Sequence, residues 1–190
     1  GASSMTKCLI FDLDGTLVKL PIRYELIQTE LKKLYKTNYD FSPLIPTIIQ
    51  RSENSKMIND AFELICKEEE IASETFEKID GLVEVLDHVK SKDYTVCLVT
   101  MQCKKVATTI LQNLKIYDIF SSILTRDDSH DRFIQIKQTC ESLNLEPKLV
   151  TMIGDRLNDI DCATRAGCNS ILVNRNDGKS KNLKELTSIL

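Results

Sequence analysis

The residues best suited to chemistry are two carboxylates, Asp12 and Asp14, which stand one residue apart after the apolar run 8–11. Gly15 and Thr16 follow them directly. A short apolar run that ends in polar groups is typical of a buried strand whose carboxyl end opens into a binding site. The pattern therefore predicts a site at this strand end, and the other charges that reach it decide its chemistry.

Two further apolar runs end in polar groups of similar character. One covers 95–99 and ends at Thr100, and the other covers 149–153 and is followed by Asp155 and Asp159. Because the carboxyl ends of parallel strands lie at one edge of a sheet, we expect these groups to meet the first two carboxylates. Several carboxylates in one crevice repel one another unless a cation lies among them, and oxygen ligands of this kind suit Mg²⁺.

Such a cluster is suited to phosphoryl transfer. Asp12, which directly follows its strand, is the candidate nucleophile that attacks phosphorus to form an aspartyl-phosphate. Asp14 can protonate the leaving oxygen and then take a proton from the attacking water. We expect Thr100 to offer its hydroxyl group to the phosphoryl group.

The rest of the chain must supply the elements that position these groups. Apolar residues at helical spacing predict helices over about 21–37 and 55–70, with a further helical stretch over 76–79. We therefore interpret residues 18–80 as an all-helical insertion. From Gly81 onward, strand-like and helix-like segments alternate, which is typical of an α/β fold with a doubly wound parallel sheet.

Residues 12–16, Thr100 and residues 154–159 together resemble motifs I, II and IV of the haloacid dehalogenase (HAD) superfamily. The helical insertion resembles the type 1 cap of phosphoglycolate-phosphatase-like members of that superfamily. The resemblance implies a HAD-like Rossmannoid core with an inserted all-helical cap. The implied boundaries are 5–17 and 81–190 for the α/β core and 18–80 for the cap.

The resemblance also implies a role for each aspartate. Asp12 is then the nucleophile and Asp14 the acid and base. Mg²⁺ is implied to be held by Asp12, by the main-chain carbonyl of Asp14 and by Asp155. Asp159 is implied to support either the waters of the metal or the cationic group of the site.

The chain departs from the family where a lysine usually precedes the helix that leads into motif IV. Counting back from Asp155 at the usual spacing reaches Arg132, and Lys137 lies further along the same predicted helix. Arginine carries the same charge and grips phosphate through two donors, but it is not a neutral replacement for lysine. We favour Arg132 for this catalytic role and keep Lys137 as the alternative.

The phosphate-binding residues follow from the same motifs. Met101 stands where relatives often carry a polar side chain, so main-chain amides are expected to grip phosphate there. The expected phosphate-binding set is Gly15, Thr16, Thr100, Met101 and Arg132.

Bulk properties narrow the class of protein and its partners. The 190 residues, of which 42% are hydrophobic and 28% charged, suffice for a well-buried domain with a modest insertion. A net charge of −3 argues against nucleic acid, and no apolar run is long enough to span a bilayer. We expect a cytoplasmic monomer or homodimer whose partner is a small phosphorylated metabolite, with no nucleic acid or membrane. The polar tail from Asn174 is expected to pack loosely, apart from a short helix over 183–190.

Three functions remain open at this point. The first is a Mg²⁺-dependent phosphatase, a phosphoric monoester hydrolase that acts on a small phosphorylated metabolite. The alternative enzyme is a phosphomutase similar to β-phosphoglucomutase, which shares the nucleophile but keeps water away from the phosphoenzyme. The alternative from another class is a non-catalytic binding protein that retains the fold, and the complete set of aspartates argues against it.

Overall fold

The computed structural model describes residues 5–190, and the chain forms two compact units. One unit combines the residues through Lys19 with Glu77–Leu190, and the other is Leu20–Phe76. In chain order the helices and strands are β1 (Cys8–Phe11), β2 (Val18–Lys19), α1 (Tyr24–Tyr35), α2 (Leu44–Arg51), α3 (Ser55–Ser73), β3 (Glu77–Lys78), α4 (Leu82–Ser91), β4 (Thr95–Val99), α5 (Lys104–Asn113), β5 (Ser122–Leu124), α6 (Arg132–Ser142), β6 (Val150–Gly154), α7 (Leu157–Arg165) and β7 (Asn169–Leu172).

The first unit is built on a parallel sheet of five strands in the order β5-β4-β1-β6-β7. The central strand is β1, where Phe11 lies opposite Leu98 of β4 and Ile153 of β6. This register brings the carboxyl ends of the three middle strands to one edge, where Asp12 and Asp155 follow β1 and β6. The predicted doubly wound parallel sheet is confirmed.

One face of this sheet is covered by α6 and α7. Because side chains alternate along a strand, Ile10, Cys97 and Met152 point to the same face, where they pack against Ile136 of α6 and Ala163 of α7. All five of these residues are buried. The apolar contacts fix the rotation of both helices about their axes. This rotation decides which side chains of each first turn face the carboxyl edge of the sheet.

The second unit consists of α1, α2 and α3 with their connections. It has its own core, in which Ile27 and Leu31 of α1 meet Ile48 of α2 and Ile65 of α3. The start of α3 is capped by Asn54, whose side-chain oxygen accepts a hydrogen bond from the amide of Met57 (3.0 Å).

One expectation from the sequence is wrong. The segment expected as a helix over 76–79 contains β3, which pairs antiparallel with β2, and the amide of Ile79 donates to the carbonyl of Leu17 (3.0 Å). The short helix expected over 183–190 is present as a 3₁₀ helix over Leu183–Ser188, and Leu183 and Leu186 are fully buried on it. At β3 a contact with a distant segment decides the conformation. No helix among the described residues is both long and apolar enough to cross a bilayer.

Candidate active site

The turn after β1 brings Asp12 to the edge of the sheet and folds the chain back sharply. Asp12 is buried, and its amide donates to the carbonyl of Ile153 on β6 (3.0 Å). Gly15 adopts φ +86°, and a Cβ at this position would lie only 2.1 Å from Oδ2 of Asp155. Glycine is therefore required here both by the backbone angle and by the close approach of the Asp155 carboxylate.

Three carboxylates meet at this edge, since oxygens of Asp12, Asp155 and Asp159 lie within 4.8 Å of one another. Burial raises the pKa of Asp12 to about 6, with the Arg132 charge opposing the rise and the Asp155 charge adding to it. Burial is the largest cause that raises the pKa of Asp159 to about 6, and the negative charge of Asp12 adds to it. The positive charge of Arg132 opposes this rise. Burial and then the Asp159 charge raise the pKa of Asp155. The cluster therefore favours a proton or a cation among its members.

Arg132, the first residue of α6, is the cation that the structure brings to this cluster. Its Nη2 donates to Oδ1 of Asp12 (2.9 Å), its Nε lies 3.1 Å from Oδ1 of Asp159, and its side chain is 8% exposed. Lys137 lies five residues later, roughly 140° around the helix, and is exposed. Of the two candidates, Arg132 is the one in contact with the aspartates.

Asp159 is held by the protein through both carboxylate oxygens. Besides the contact of Oδ1 with Arg132, Oδ2 accepts a hydrogen bond from the amide of Arg156 at the start of α7 (3.1 Å). Gly154 allows this arrangement, because a Cβ there would lie 2.3 Å from Oδ2 of Asp159. Of the two roles implied by the resemblance, support of the cationic group is the one that these contacts favour.

The strand end of β4 contributes buried polar groups. Thr100 is fully buried, and its hydroxyl donates to the side-chain oxygen of Gln102. The main-chain amide of Gln102 in turn donates to Oγ1 of Thr100 (3.2 Å). The carbonyl of Met101 accepts a hydrogen bond from Nη1 of Arg126 (2.6 Å). The side-chain hydroxyl of Thr100 is thus engaged within its own loop, and its contact with a phosphoryl group stays a prediction.

The remaining predicted site residues lie in the turn after β1. Asp14 is half-buried, and its main chain pairs with Val18. Gly15 follows it, and the hydroxyl group of Thr16 is buried with no hydrogen-bond partner among the described residues.

The donor set fits a divalent cation such as Mg²⁺. Oδ1 of Asp155 is buried and has no hydrogen-bond partner among the described residues, which leaves one carboxylate oxygen of the cluster uncompensated. A buried carboxylate oxygen without a partner is costly unless a cation meets it. The cluster offers carboxylate oxygens, which are the ligands that Mg²⁺ prefers.

Three residues that the sequence analysis did not single out also support the site. Nδ2 of Asn174 donates to the carbonyls of Gly15 (3.0 Å) and Thr16 (3.1 Å), and Nη1 of Arg175 donates to the carbonyl of Asp155 (3.1 Å). Gln135 contacts Arg132. Asn174 comes soon after the last strand of the sheet, so the strand-end pattern could have indicated it. Nothing in the sequence distinguishes Gln135 from other helical glutamines.

Comparisons with known proteins agree with this geometry. The model of the haloacid dehalogenase-like hydrolase family matches residues 9–173. A phosphoglycolate phosphatase of Psychrobacter arcticus is 26% identical over 186 residues, which cover 86% of this chain and 81% of that protein. The pyrophosphatase PpaX of Bacillus cereus is 26% identical over 184 residues, with 87% and 82% covered.

Among solved structures, the HAD phosphatase of Thermococcus onnurineus superposes with a TM-score of 0.67 at 22% identity, and 97% of each chain is covered. This similarity extends the shared fold over nearly the whole chain. The matched residues contain both aspartates after β1, the end of β4 and the segment after β6. The chain therefore belongs to the haloacid dehalogenase-like hydrolases.

Proposed function

We propose that the protein is a Mg²⁺-dependent phosphatase that hydrolyses a small phosphorylated metabolite through an aspartyl-phosphate on Asp12. One observation carries the proposal. Asp12 lies buried at the end of the central strand with one oxygen paired to Arg132, beside the carboxylate of Asp155. A buried carboxylate between a fixed cation and a metal-binding group is suited to attack phosphorus, unlike a carboxylate in an exposed ion pair.

The reaction has two steps. In the first, an oxygen of Asp12 bonds to phosphorus as the bond to the leaving oxygen breaks, and Asp14 gives that oxygen a proton. In the second, Asp14 takes a proton from water, the water oxygen bonds to phosphorus, and the bond to Asp12 breaks to release phosphate. The carboxylate of Asp12 is regenerated, so the cycle balances with water as the second substrate.

Arg132 retains donors for the phosphoryl group even while it is paired with the aspartates. A guanidinium has five N–H groups. The contacts with Asp12, Asp159 and Gln135 each use one of these N–H groups. The two that remain are on Nη1 and Nη2, and they suit two phosphate oxygens. Main-chain amides near Met101 supply further donors in this proposal.

Asp12, Asp155 and the main-chain carbonyl of Asp14 would hold Mg²⁺ in this proposal. The metal would neutralise negative charge on the nucleophile and the phosphoryl group. Asp159 keeps Arg132 in place beside them. Thr16, whose buried hydroxyl is unpartnered among the described residues, is a further donor near the turn.

The substrate class follows from the relatives and the domain organisation. One relative is named for phosphoglycolate and the other for pyrophosphate, and both of these substrates are small and strongly anionic. In the proposal the helical insertion 18–80 acts as the cap that selects the substrate and excludes water. The corresponding compact unit in the structure is Leu20–Phe76, with its own core.

The test is a screen of purified protein against phosphorylated metabolites that includes 2-phosphoglycolate, inorganic pyrophosphate and hexose phosphates. Released phosphate is measured with Mg²⁺ and with a chelator in its place. We expect release from at least one small substrate with Mg²⁺ only. No release from any member of the panel contradicts a phosphatase, and conversion of a hexose phosphate to its isomer without release identifies a mutase.

A further inference from the structure

Gln135 is a fully buried amide whose polar atoms are all paired. Its Nε2 donates to the carbonyl of Thr100 (2.9 Å) and to the carbonyl of Ser129 (3.0 Å), and its Oε1 accepts a hydrogen bond from Nη1 of Arg132 (3.3 Å). Burying an amide is costly unless its hydrogen-bonding groups are satisfied. This side chain therefore connects three separate parts of the site: the end of β4, the loop before α6 and the guanidinium.

The orientation of the Gln135 amide follows from its partners. Both groups that face Nε2 are carbonyl oxygens, of Thr100 and Ser129, and these can only accept hydrogen bonds. A flipped amide would place an oxygen against two oxygens and an NH₂ group against a guanidinium. The two carbonyls thus force Oε1 towards Arg132, which fixes an acceptor at that position.

The contact with Gln135 gives every nitrogen of the Arg132 guanidinium a partner. Nε faces Asp159, Nη2 faces Asp12 and Nη1 faces Gln135. Three partners around a planar group hold its plane more firmly than the two carboxylates do by themselves. A lysine has a single nitrogen on a flexible stem, and it cannot meet three partners in this geometry.

We infer that Gln135 is a positioning residue that sets the plane of the Arg132 guanidinium and ties it to the end of β4 at Thr100. The pairing is specific to arginine at this position. The inference rests on the proposed function for the catalytic consequence, since Arg132 is there the cation that grips phosphate. The contact between Gln135 and Arg132 itself does not depend on that function.

A double-mutant cycle tests the catalytic consequence. Gln135→Met keeps the length of the side chain and removes its hydrogen bonds. With Arg132 present, we expect kcat/KM for the best substrate of the screen, with Mg²⁺, to fall about tenfold. In the Arg132→Lys background we expect the same change to cost less than about twofold. An equal loss in both backgrounds would show a purely structural role and overturn the inference.

The matched control is Gln138→Met, because Gln138 lies on the same helix three residues later and is exposed. We expect Gln138→Met to leave kcat/KM equal to that of the parent protein in each background, the wild type or Arg132→Lys. Thermal unfolding of each variant shows whether a loss of activity accompanies a loss of folded protein.

A second measurement needs neither activity nor a change at Gln135. In ¹⁵N-labelled protein, Arg132→Lys should shift the side-chain amide signals of Gln135 and leave those of Gln138 in place. Unmoved Gln135 signals would overturn the inference, whatever the screen for phosphatase activity gives. The same measurement decides the matter if Gln135→Met does not fold, so failure of the proposed function and failure of this inference are distinguishable.

Discussion

Each of the two units contains an arginine paired with carboxylate, and the two pairs differ in exposure. Arg23 of the helical unit makes a two-fold contact with Glu68 (3.0 and 3.1 Å), and its side chain is 57% exposed. Arg132 of the α/β unit bridges Asp12 and Asp159, and its side chain is 8% exposed. Water screens the first pair, so it contributes little, whereas the second acts in a low dielectric.

The two pairs are separated by burial rather than by the quality of their hydrogen bonds. The exposed pair has the better two-fold geometry. The buried group, however, compensates carboxylates whose pKa values rise to about 6 for both Asp12 and Asp159. Ion pairs in an interior rarely add net stability, so this buried cluster is better accounted for by the proposed function than by stability.

The largest effect is expected from the nucleophile itself. Asp12→Asn removes the attacking carboxylate and should lower kcat by at least about a thousandfold. The control is Asp161→Asn, an exposed aspartate on α7, which should retain wild-type turnover. Phosphate release under saturating substrate measures both variants, and near-normal turnover by Asp12→Asn would rule out the aspartyl-phosphate mechanism.

Removal of each arginine tests the comparison of the two pairs directly. Arg132→Ala leaves Asp12 and Asp159 buried without their cation, so we expect a loss of about 3 kcal/mol in the free energy of unfolding. Arg23→Ala removes an exposed pair and should cost about 0.5 kcal/mol. Urea unfolding at pH 7.5 without metal measures both. Similar costs for the two variants would show that burial does not separate the pairs.

Two glycines with positive φ test how closely the turn after β1 is packed. Gly15→Ala places a methyl group against the Asp155 carboxylate, and we expect it to cost about 2 kcal/mol and most of the activity. Gly178 has φ +72° with nothing within 4 Å of its Cβ position, so Gly178→Ala should cost about 1 kcal/mol and leave activity unchanged. Equal activity in the two variants would contradict the close approach of Asp155.

The pH dependence of Mg²⁺ stabilisation is the smallest of the expected effects. Because the pKa values of Asp12 and Asp159 rise from 3.8 to about 6 in the folded protein, folding binds protons. The stability that these groups contribute at low pH is lost as the pH rises from about 4 to 6. Mg²⁺ offsets that loss, so its shift of the melting temperature should be larger at pH 7.5 than at pH 5.

The control for this measurement is Asp12→Asn, in which the difference between the two pH values should shrink. Thermal unfolding with Mg²⁺ and with a chelator gives the shift in each case. A Mg²⁺ shift that is equal at both pH values in the wild type would show that these carboxylates do not meet the metal.

The sequence indicated the sheet and its carboxyl edge because both depend on local pattern. Apolar runs that end in polar residues marked β1, β4 and β6, and the alternation with helices implied parallel strands. The strand β3 was not predicted, because Glu77 and Lys78 form a strand only by pairing with β2. The burial of Leu183 and Leu186 was not predicted either, since burial depends on the distant residues that the tail packs against.

For the site, the sequence by itself determined the carboxylates, since Asp12 and Asp155 follow strands that their own apolar residues define. Only the tertiary structure showed that Arg132 and not Lys137 contacts the aspartates, and it set the buried Gln135 apart from the exposed Gln138. The physical reason is that the rotation of α6 is fixed by distant apolar contacts of residues such as Ile136 with the sheet. Which polar side chain of a helix faces a site therefore depends on packing that no local pattern contains.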